Sequence, residues 1–196
     1  MIGDELKVIA TTYRKYLFRS RLEAKWAAFF DLCMWPWSYE PVDFDGWIPD
    51  FAIGERPTLV EIKPFFHEEQ WEDTFRKIIS SGCQEPVVLL GADPARTIRT
   101  QQQVDESAPQ VGWILDENRE MWPLNFGHTE GNGRLGLCSI EGSWWNCLWK
   151  APTYSDKCTH PNKWSRVWLP DEAREEMLFH KWATACNISR WMPVCK

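Results

Sequence analysis

Two acidic residues and a lysine lie close together in the sequence, in a spacing that could support hydrolytic chemistry. Asp50 ends the segment WIPD, and Glu61 and Lys63 follow it in the segment LVEIK. Because side chains alternate between the two faces of a β-strand, Glu61 and Lys63 should point to the same side. A pair of carboxylates beside an amine has the groups needed to hold a divalent cation next to a negatively charged substrate.

The loop between the two strands decides which residues face each other. Residues 54–57 (GERP) are typical of a hairpin loop. A four-residue loop pairs Ile53 with Thr58, and Asp50 then lies directly opposite Glu61. Directly opposed side chains have Cβ atoms about 5 Å apart, where two like charges destabilise a sheet. We therefore expect a cation between these two carboxylates.

Oxygen ligands favour a hard cation, so Mg²⁺ or Mn²⁺ is the expected cofactor. Such an ion polarises a phosphoryl oxygen and lowers the pKa of bound water, while Lys63 can act as a point charge on the phosphate or the attacking water. This chemistry suits hydrolysis of a phosphodiester. The alternative is a solvated sheet face with a surface ion pair, because the string D-x10-E-x-K is common by chance.

Glu23 is the candidate fourth member of this site. It lies in a segment, residues 13–33, whose apolar residues recur at helical spacing. At the edge of that helix Glu23 could face the sheet and hold a second metal or a metal-bound water. The alternative is an i,i+4 ion pair with Arg19, which is worth only about 0.3–0.5 kcal/mol.

The remaining elements predict an α/β sandwich core of about a hundred residues. The helix at 13–33 precedes three short strands, a second helix and a continuous apolar strand, and one more strand follows. The expected ranges after the first helix are strands at 38–42, 47–53 and 58–63, a helix at 67–82, and strands at 86–91 and 111–115. We place a boundary after residue 117, with a nuclease-type core at 1–117. Residues 118–196 then form an irregular module rich in Trp and Cys, which ends in a helix near 171–186.

Several motifs occur in an order that resembles the PD-(D/E)xK nuclease superfamily. They are the helix glutamate in SRLEAKWA (Glu23), the strand YEP (Tyr39–Pro41), the PDF motif around Asp50, and the E-x-K of Glu61 and Lys63. Over residues 13–92 the chain looks closest to the small phage and bacterial branch akin to the endonuclease subunit of heteromeric transposases. The resemblance implies a restriction-endonuclease-like core in which Asp50, Glu61 and the carbonyl of Ile62 ligate the metal. It also implies that Lys63 acts on the nucleophile and that Glu23 completes the site.

The resemblance implies a Mg²⁺- or Mn²⁺-dependent DNA endonuclease. DNA is then the expected partner, and a protein partner or a homodimer would fit a transposase-like subunit. Two other functions stay open: a nucleic-acid-binding module that keeps the fold without turnover, and an assembly protein that acts only with a partner. No basic-then-apolar leader opens the chain, and no run approaches the ~18 apolar residues that span a bilayer. We expect an intracellular, soluble protein in a bacterial or phage-infected cell, with no membrane partner.

Charge is distributed unevenly along the chain. The net charge is -6, yet residues 7–25 hold six basic residues and a single acid, whereas residues 40–73 hold ten acids and two basic residues. We expect the basic segment to contact phosphate through Arg19, Arg21 and Lys25. The alternative is an uneven solvated surface.

Fourteen tryptophans are an unusual number for 196 residues. Between residues 144 and 168 they alternate with basic residues, a pattern that suits stacking on unpaired nucleotides together with phosphate contact. The candidate nucleic-acid-binding residues there are Trp144, Trp145, Lys150, Lys163 and Arg166. The alternative is that these tryptophans form the core of the C-terminal module.

The odd total of seven cysteines favours reduced thiols or metal ligands over a disulfide framework. A structural zinc site is one interpretation of the C-terminal half. Its candidate ligands are Cys138, Cys147, Cys158 and His160. Zinc sites usually contain a closely spaced cysteine pair, and this series has none, so scattered thiols are the alternative.

Overall fold

The computed structural model describes residues 9–54, 58–65, 71–94, 110–116, 118–128, 135–141, 144–147 and 171–189 of the chain. Those ranges contain three helices: α1 (Arg21–Leu32), α2 (Glu72–Ser80) and α3 (Asp171–Ile188). They also contain ten strands: β1 (Thr11–Tyr13), β2 (Tyr16–Phe18), β3 (Trp37–Tyr39), β4 (Phe51–Ile53), β5 (Thr58–Ile62), β6 (Val87–Leu90), β7 (Gln110–Leu115), β8 (Met121–His128), β9 (Leu135–Glu141) and β10 (Trp144–Cys147).

Eight strands form one mixed sheet in the order β10-β9-β8-β7-β6-β5-β4-β3. Strands β5 and β6 are parallel and are joined through α2, as parallel neighbours require a crossover. The other neighbouring pairs are antiparallel. The expected α/β class is confirmed, and so is the order of helix, three strands, helix and strand, followed by one further strand.

Helices cover both faces of the sheet. The alternation of β5 shows the two layers, because Val60 packs in one core with Trp26 of α1, whereas Leu59 packs in a second core with Ile78 of α2. Trp182 of α3 belongs to the α1 core. A strand buried on both faces has no polar face, and this explains why β6 reads as an unbroken apolar run.

The first helix begins later than its apolar spacing indicates. Residues 11–18, part of which we assigned to the helix, form the β1–β2 hairpin, in which Tyr13 pairs with Tyr16. Ser20 has extended backbone angles and accepts the N–H of Glu23 at 3.2 Å. This is an N-cap in an S-x-x-E sequence, with the Glu23 side chain accepting the Ser20 hydroxyl and the Arg19 N–H. The cap at Ser20 therefore starts the helix, and the preceding residues pair as strands.

Strands β3 and β4 are shorter than expected because a tight turn lies between them. The backbone groups of Phe44 and Trp47 exchange two hydrogen bonds, at 2.9 and 3.2 Å. Gly46 supplies the positive φ of 71° that this turn requires. The second helix, expected at 67–82, is α2 in the described range, and the stop at Gly82 (φ 74°) is confirmed. Residues 67–70 of that prediction lie outside the described residues.

The sheet continues past the boundary expected at residue 117. Strand β8 pairs with β7, and β9 and β10 follow in turn, so the expectation of an irregular C-terminal module is wrong for residues 118–128, 135–141 and 144–147. The expected final helix is confirmed as α3. It packs on α1, with the rings of Trp182 and Trp26 4.8 Å apart. Leu124 of β8 lies in the same core as Leu178 and Trp182 of α3, so this helix covers part of the sheet beyond β7.

Within the residues that the structure describes, none of the helices combines the length and apolarity that crossing a membrane would require.

Candidate active site

The hairpin formed by β4 and β5 has the register expected from its loop. Ile53 pairs with Thr58 and Phe51 with Val60, so the next opposed positions in this register are Asp50 and Glu61. Both side chains are buried, with 3% of each residue exposed. Two opposed carboxylates removed from water are costly unless positive charge compensates them.

The two carboxylates line a cavity of about 460 Å³. Ser20 and Glu23, at the start of α1, form part of the cavity wall, and Lys77 of α2 forms another part. Its charged lining residues are Arg19, Glu23, Asp43, Asp50, Glu61, Lys63 and Lys77. All four residues predicted as catalytic therefore meet at one cavity. Their catalytic roles stay predictions.

Each oxygen of Asp50 has a partner from a different part of the chain. Oδ2 accepts the backbone N–H of Ile62 at 2.7 Å, and Oδ1 lies 3.1 Å from Nη2 of Arg19. The contact with Ile62 crosses from the residue just before β4 to the last residue of β5 and fixes the orientation of the carboxylate. Ile62, expected to contribute its carbonyl to a metal, thus contacts Asp50 through its N–H.

Glu61 is held in a similar way. Its Oε2 accepts the indole N–H of Trp47 at 2.9 Å, and its Oε1 lies 2.5 Å from Nζ of Lys63. The contact with Lys63 agrees with the expectation that the two side chains share a face of β5. Trp47 and the backbone N–H of Ile62 therefore act as fixed donors, each directed at one oxygen of the carboxylate pair.

Electrostatics at the pair favour an added cation. Burial and the neighbouring charge of Glu61 raise the pKa of Asp50 to about 7, although Lys63 works in the opposite direction. Burial would lower the pKa of Lys63, but the carboxylates of Glu61 and Asp50 outweigh it and raise that pKa. Lys63 therefore carries its charge at neutral pH, yet burial and the charge of Glu61 outweigh its effect on the pKa of Asp50.

Glu23 lines the cavity and has both oxygens engaged. Oε1 accepts the hydroxyl of Ser20 at 2.7 Å, and Oε2 accepts the hydroxyl of Tyr39 at 2.7 Å and the backbone N–H of Arg19 at 3.2 Å. Burial and the hydrogen bond to Glu23 raise the pKa of Tyr39 to about 12, so its hydroxyl stays a donor. The guanidinium of Arg19 contacts Glu40 and Asp50 instead of Glu23. The alternative of an i,i+4 ion pair between Arg19 and Glu23 is therefore wrong.

The donor set can be compared with the needs of a metal. Within the described ranges, no three or more His, Cys, Asp and Glu side chains form a ready-made metal site. Mg²⁺ seldom needs one, since it commonly uses one or two carboxylates together with water and substrate phosphate oxygens. The paired oxygens of Asp50 and Glu61, with the raised pKa of Asp50, fit such an ion.

Other predicted residues lie elsewhere. Arg21 is exposed and Lys25 half-buried on α1, and neither lines the cavity. Cys138 and Cys147 are opposite each other on β9 and β10. The backbones of Trp144 and Trp145 belong to β10. The remaining candidates lie outside the described residues: Lys150, Cys158, His160, Lys163 and Arg166.

Sequence reasoning missed Trp47 and Lys77, and it quoted Tyr39 only as part of a motif. The N-cap at Ser20 had a readable signal, the S-x-x-E pattern that also explains where α1 begins. The indole donor of Trp47 had none, since nothing in its spacing indicates that a turn will place it against Glu61.

Comparison of the chain with protein-family models, curated proteins and solved structures finds no significant match in any of the three.

Proposed function

We propose that this protein is a metal-dependent nuclease of the PD-(D/E)xK type that hydrolyses DNA phosphodiester bonds as an endonuclease. The observation that carries the proposal is the opposed pair Asp50 and Glu61, each 3% exposed, with the ammonium of Lys63 2.5 Å from Glu61. Burying two acids against each other is unfavourable for stability alone, so a ligand that rewards the arrangement is the simplest reason for it.

The fold supports the same proposal. The elements α1, β3, β4, β5, α2 and β6 follow the order expected for a restriction-endonuclease-like core, with the antiparallel β4–β5 hairpin next to the parallel β5–β6 pair. In that order the motifs PDF and E-x-K fall at the neighbouring strands β4 and β5, and the helix glutamate falls at the start of α1. Fold alone does not determine activity, so the proposal depends on the carboxylate pair.

Asp50 and Glu61 would hold Mg²⁺ or Mn²⁺ in this site. When bound, the ion supplies Lewis-acid activation of the phosphate and lowers the pKa of its bound water. The chain's own residues prepare the site: the Ile62 N–H and the Trp47 indole fix one oxygen of each carboxylate, and Lys63 keeps an ammonium group within the cavity. Such preorganised charge costs no rearrangement during the reaction.

DNA is the proposed substrate because three basic residues line the cavity beside its carboxylates. These residues come from three parts of the chain: Arg19 precedes the N-cap of α1, Lys63 follows β5, and Lys77 lies in α2. Phosphate contacts from lysine and arginine position a duplex without reading its sequence. The net charge of -6 indicates that this grip is local and that the protein is not a general nucleic-acid-binding surface.

The proposal is tested by cleavage of supercoiled, linear, branched and single-stranded DNA in Mg²⁺, in Mn²⁺ and in chelator. We expect cleavage only with metal. The rate of cleavage should be at least about a hundredfold lower in Asp50→Asn and in Glu61→Gln. Asp73→Asn is the matched control, since Asp73 is an exposed acid of α2 that pairs with Arg76 and does not line the cavity. Cleavage in chelator, or undiminished cleavage by Asp50→Asn, would rule out the mechanism.

One observation favours a second candidate function, a nucleic-acid-binding or assembly protein without turnover. The chain supplies cations of its own, as Arg19 contacts Asp50 and Lys63 contacts Glu61. If these pairs are permanent, the site is a structural ion-pair network. DNA binding that is equal with and without metal, with no strand breakage on any substrate, would favour this candidate. Cleavage that appears only with a second protein would indicate the assembly role.

A further inference from the structure

The backbone of Arg19 is fixed at the entrance to the cavity. It lies between the end of β2 and the N-cap of α1. Its N–H is 3.1 Å from the hydroxyl of Tyr39 and 3.2 Å from Oε2 of Glu23. Since Tyr39 and Glu23 are themselves hydrogen-bonded to each other, the position from which the Arg19 side chain leaves the backbone is determined by the fold.

The side chain of Arg19 reaches into the cavity from solvent. Its Nη2 lies 3.1 Å from Oδ1 of Asp50 and its Nε lies 2.9 Å from Oε1 of Glu40. The exposed fractions of these side chains are 53% for Arg19, 36% for Glu40 and 4% for Asp50. The guanidinium group therefore bridges a buried acid and an accessible one, and its own exposure leaves it free to move.

Arg19 contacts the oxygen of Asp50 that the backbone does not hold. Oδ2 of Asp50 already accepts the backbone N–H of Ile62, which makes Oδ1 the more available oxygen for a cation. A guanidinium and a divalent ion cannot both bind that oxygen at full strength, because their like charges repel at such a distance. Arg19 and the metal should therefore compete.

We infer that Arg19 is an exchangeable cation: it neutralises Asp50 while the site holds no metal, and it is displaced onto a phosphate group of the substrate when a divalent ion binds. The inference rests on the proposed nuclease function. The planar guanidinium of arginine binds phosphate through two parallel hydrogen bonds, which a lysine cannot reproduce. Arg19 is thus assigned to substrate binding, and its contact with Asp50 belongs to the resting protein.

This exchange has two consequences of opposite sign. Removing the positive charge of Arg19 frees Oδ1 of Asp50, so the site should bind a divalent ion more tightly. The same change removes a phosphate-binding group, so cleavage with metal in excess should become slower. A permanent structural ion pair predicts neither tighter metal binding nor this combination.

The experiment measures Mn²⁺ binding without DNA, by calorimetry and by the electron paramagnetic resonance signal of free Mn²⁺. The proteins are the full chain, Arg19→Met and the control Arg76→Met, which removes the charge of an exposed arginine of α2 that does not line the cavity. We expect Arg19→Met to bind Mn²⁺ about tenfold more tightly or better, which corresponds to about 1.4 kcal/mol. At saturating Mn²⁺ its cleavage rate should be lower by at least about tenfold, while Arg76→Met changes neither quantity by more than about twofold.

The outcomes separate the inference from the function on which it rests. If the unaltered chain binds Mn²⁺ and cleaves DNA, but Arg19→Met binds Mn²⁺ no more tightly, the exchange is wrong and the nuclease function stands. If neither the unaltered chain nor Arg19→Met binds Mn²⁺, the exchange is overturned, and the nuclease function is overturned with it only if the unaltered chain also fails to cleave DNA with metal. Circular dichroism and thermal unfolding check that the variants fold, and Arg19→Lys serves where Arg19→Met does not. Because Arg19→Lys keeps the charge but cannot bridge Asp50 and Glu40, we expect its Mn²⁺ affinity to exceed that of the unaltered chain by less than tenfold, and no gain would overturn the exchange.

Discussion

Trp47 donates its indole N–H to Oε2 of Glu61 at 2.9 Å, and both side chains are almost completely buried. Trp47 is the last residue of the turn that begins at Phe44. The rings of these two residues are stacked, with their centroids 5.4 Å apart. The turn thus places a rigid donor behind the carboxylate. Donors of this kind orient a metal-binding side chain without touching the metal, and their loss commonly lowers metal affinity or activity by about 10–100-fold.

Replacing Trp47 with phenylalanine removes the donor and keeps an aromatic ring. We expect Trp47→Phe to lower the free energy of unfolding by about 1–3 kcal/mol, because one oxygen of a buried carboxylate loses its partner. We also expect at least about tenfold slower cleavage of DNA. Denaturant unfolding and a cleavage assay over a range of Mg²⁺ concentrations measure the two effects.

Trp122→Phe is the control for that variant. Trp122 donates its indole N–H to Asp116 at 3.2 Å, at the turn between β7 and β8, and neither residue lines the cavity. Its loss should cost about 0.5–1.5 kcal/mol of stability and leave cleavage unchanged. If Trp47→Phe cleaves DNA as fast as Trp122→Phe does, Trp47 has no part in the site beyond packing.

The raised pKa of Asp50 predicts how stability depends on pH in the presence of chelator. Burial and Glu61 raise this pKa to about 7 in the folded protein, against about 3.9 in an unfolded chain. Between these values the folded state keeps a proton that the unfolded state has lost. The contribution of Asp50 to stability is therefore fully present below about pH 4 and is lost as the pH rises towards about 7.

Asp50→Asn isolates this contribution, because asparagine does not titrate. Denaturant unfolding at several pH values should show that the stability of the unaltered chain, relative to Asp50→Asn, falls as the pH rises from about 4 to about 7. Both proteins share every other titrating group, so their difference reports Asp50 and the groups coupled to it. Parallel stability curves across this window would show that Asp50 is ionised in the folded protein well below neutral pH.

Lys63 and Lys77 both line the cavity, yet they should contribute differently. The ammonium of Lys63 contacts Glu61 within the site, whereas Lys77 is an exposed residue of α2. We expect Lys63→Met to slow cleavage by about 10²–10³-fold at saturating DNA and metal, as loss of one preorganised charge does in other active sites. Lys77→Met should mainly weaken DNA binding and reduce its dependence on salt. Equal effects of the two variants on the saturated rate would contradict a catalytic role for Lys63.

The register of the β4–β5 hairpin was predictable because a local feature controls it. A loop of four residues, 54–57, leaves one pairing of the strands, and this pairing fixes Asp50 opposite Glu61. The buried character of β6 was also readable, because its residues form an unbroken apolar run. Both predictions depend on neighbouring residues only, which is why sequence patterns can carry them.

The partners of the carboxylates were not predictable in the same way. Arg19 was expected to contact phosphate, but its bridge from Asp50 to Glu40 joins three separate elements and depends on where each one ends. The start of α1 was misplaced because Phe18 fits the helical stripe by spacing, although it lies in β2. Tertiary packing of that aromatic ring against Tyr39 and Phe51 decides its place, and periodicity carries no information about such contacts.

The packing of α3 on α1 predicts that the C-terminal helix stabilises the part of the chain that holds the site. Trp182 is 6% exposed and contacts Trp26 and Phe29, whereas Phe179 on the same helix is 47% exposed. We expect Trp182→Ala to lower the free energy of unfolding by about 3–5 kcal/mol. Phe179→Ala should cost less than about 1 kcal/mol, because little of that side chain leaves water on folding. Denaturant unfolding of the two variants measures the difference, and similar values for both would mean that α3 folds independently of the sheet it covers.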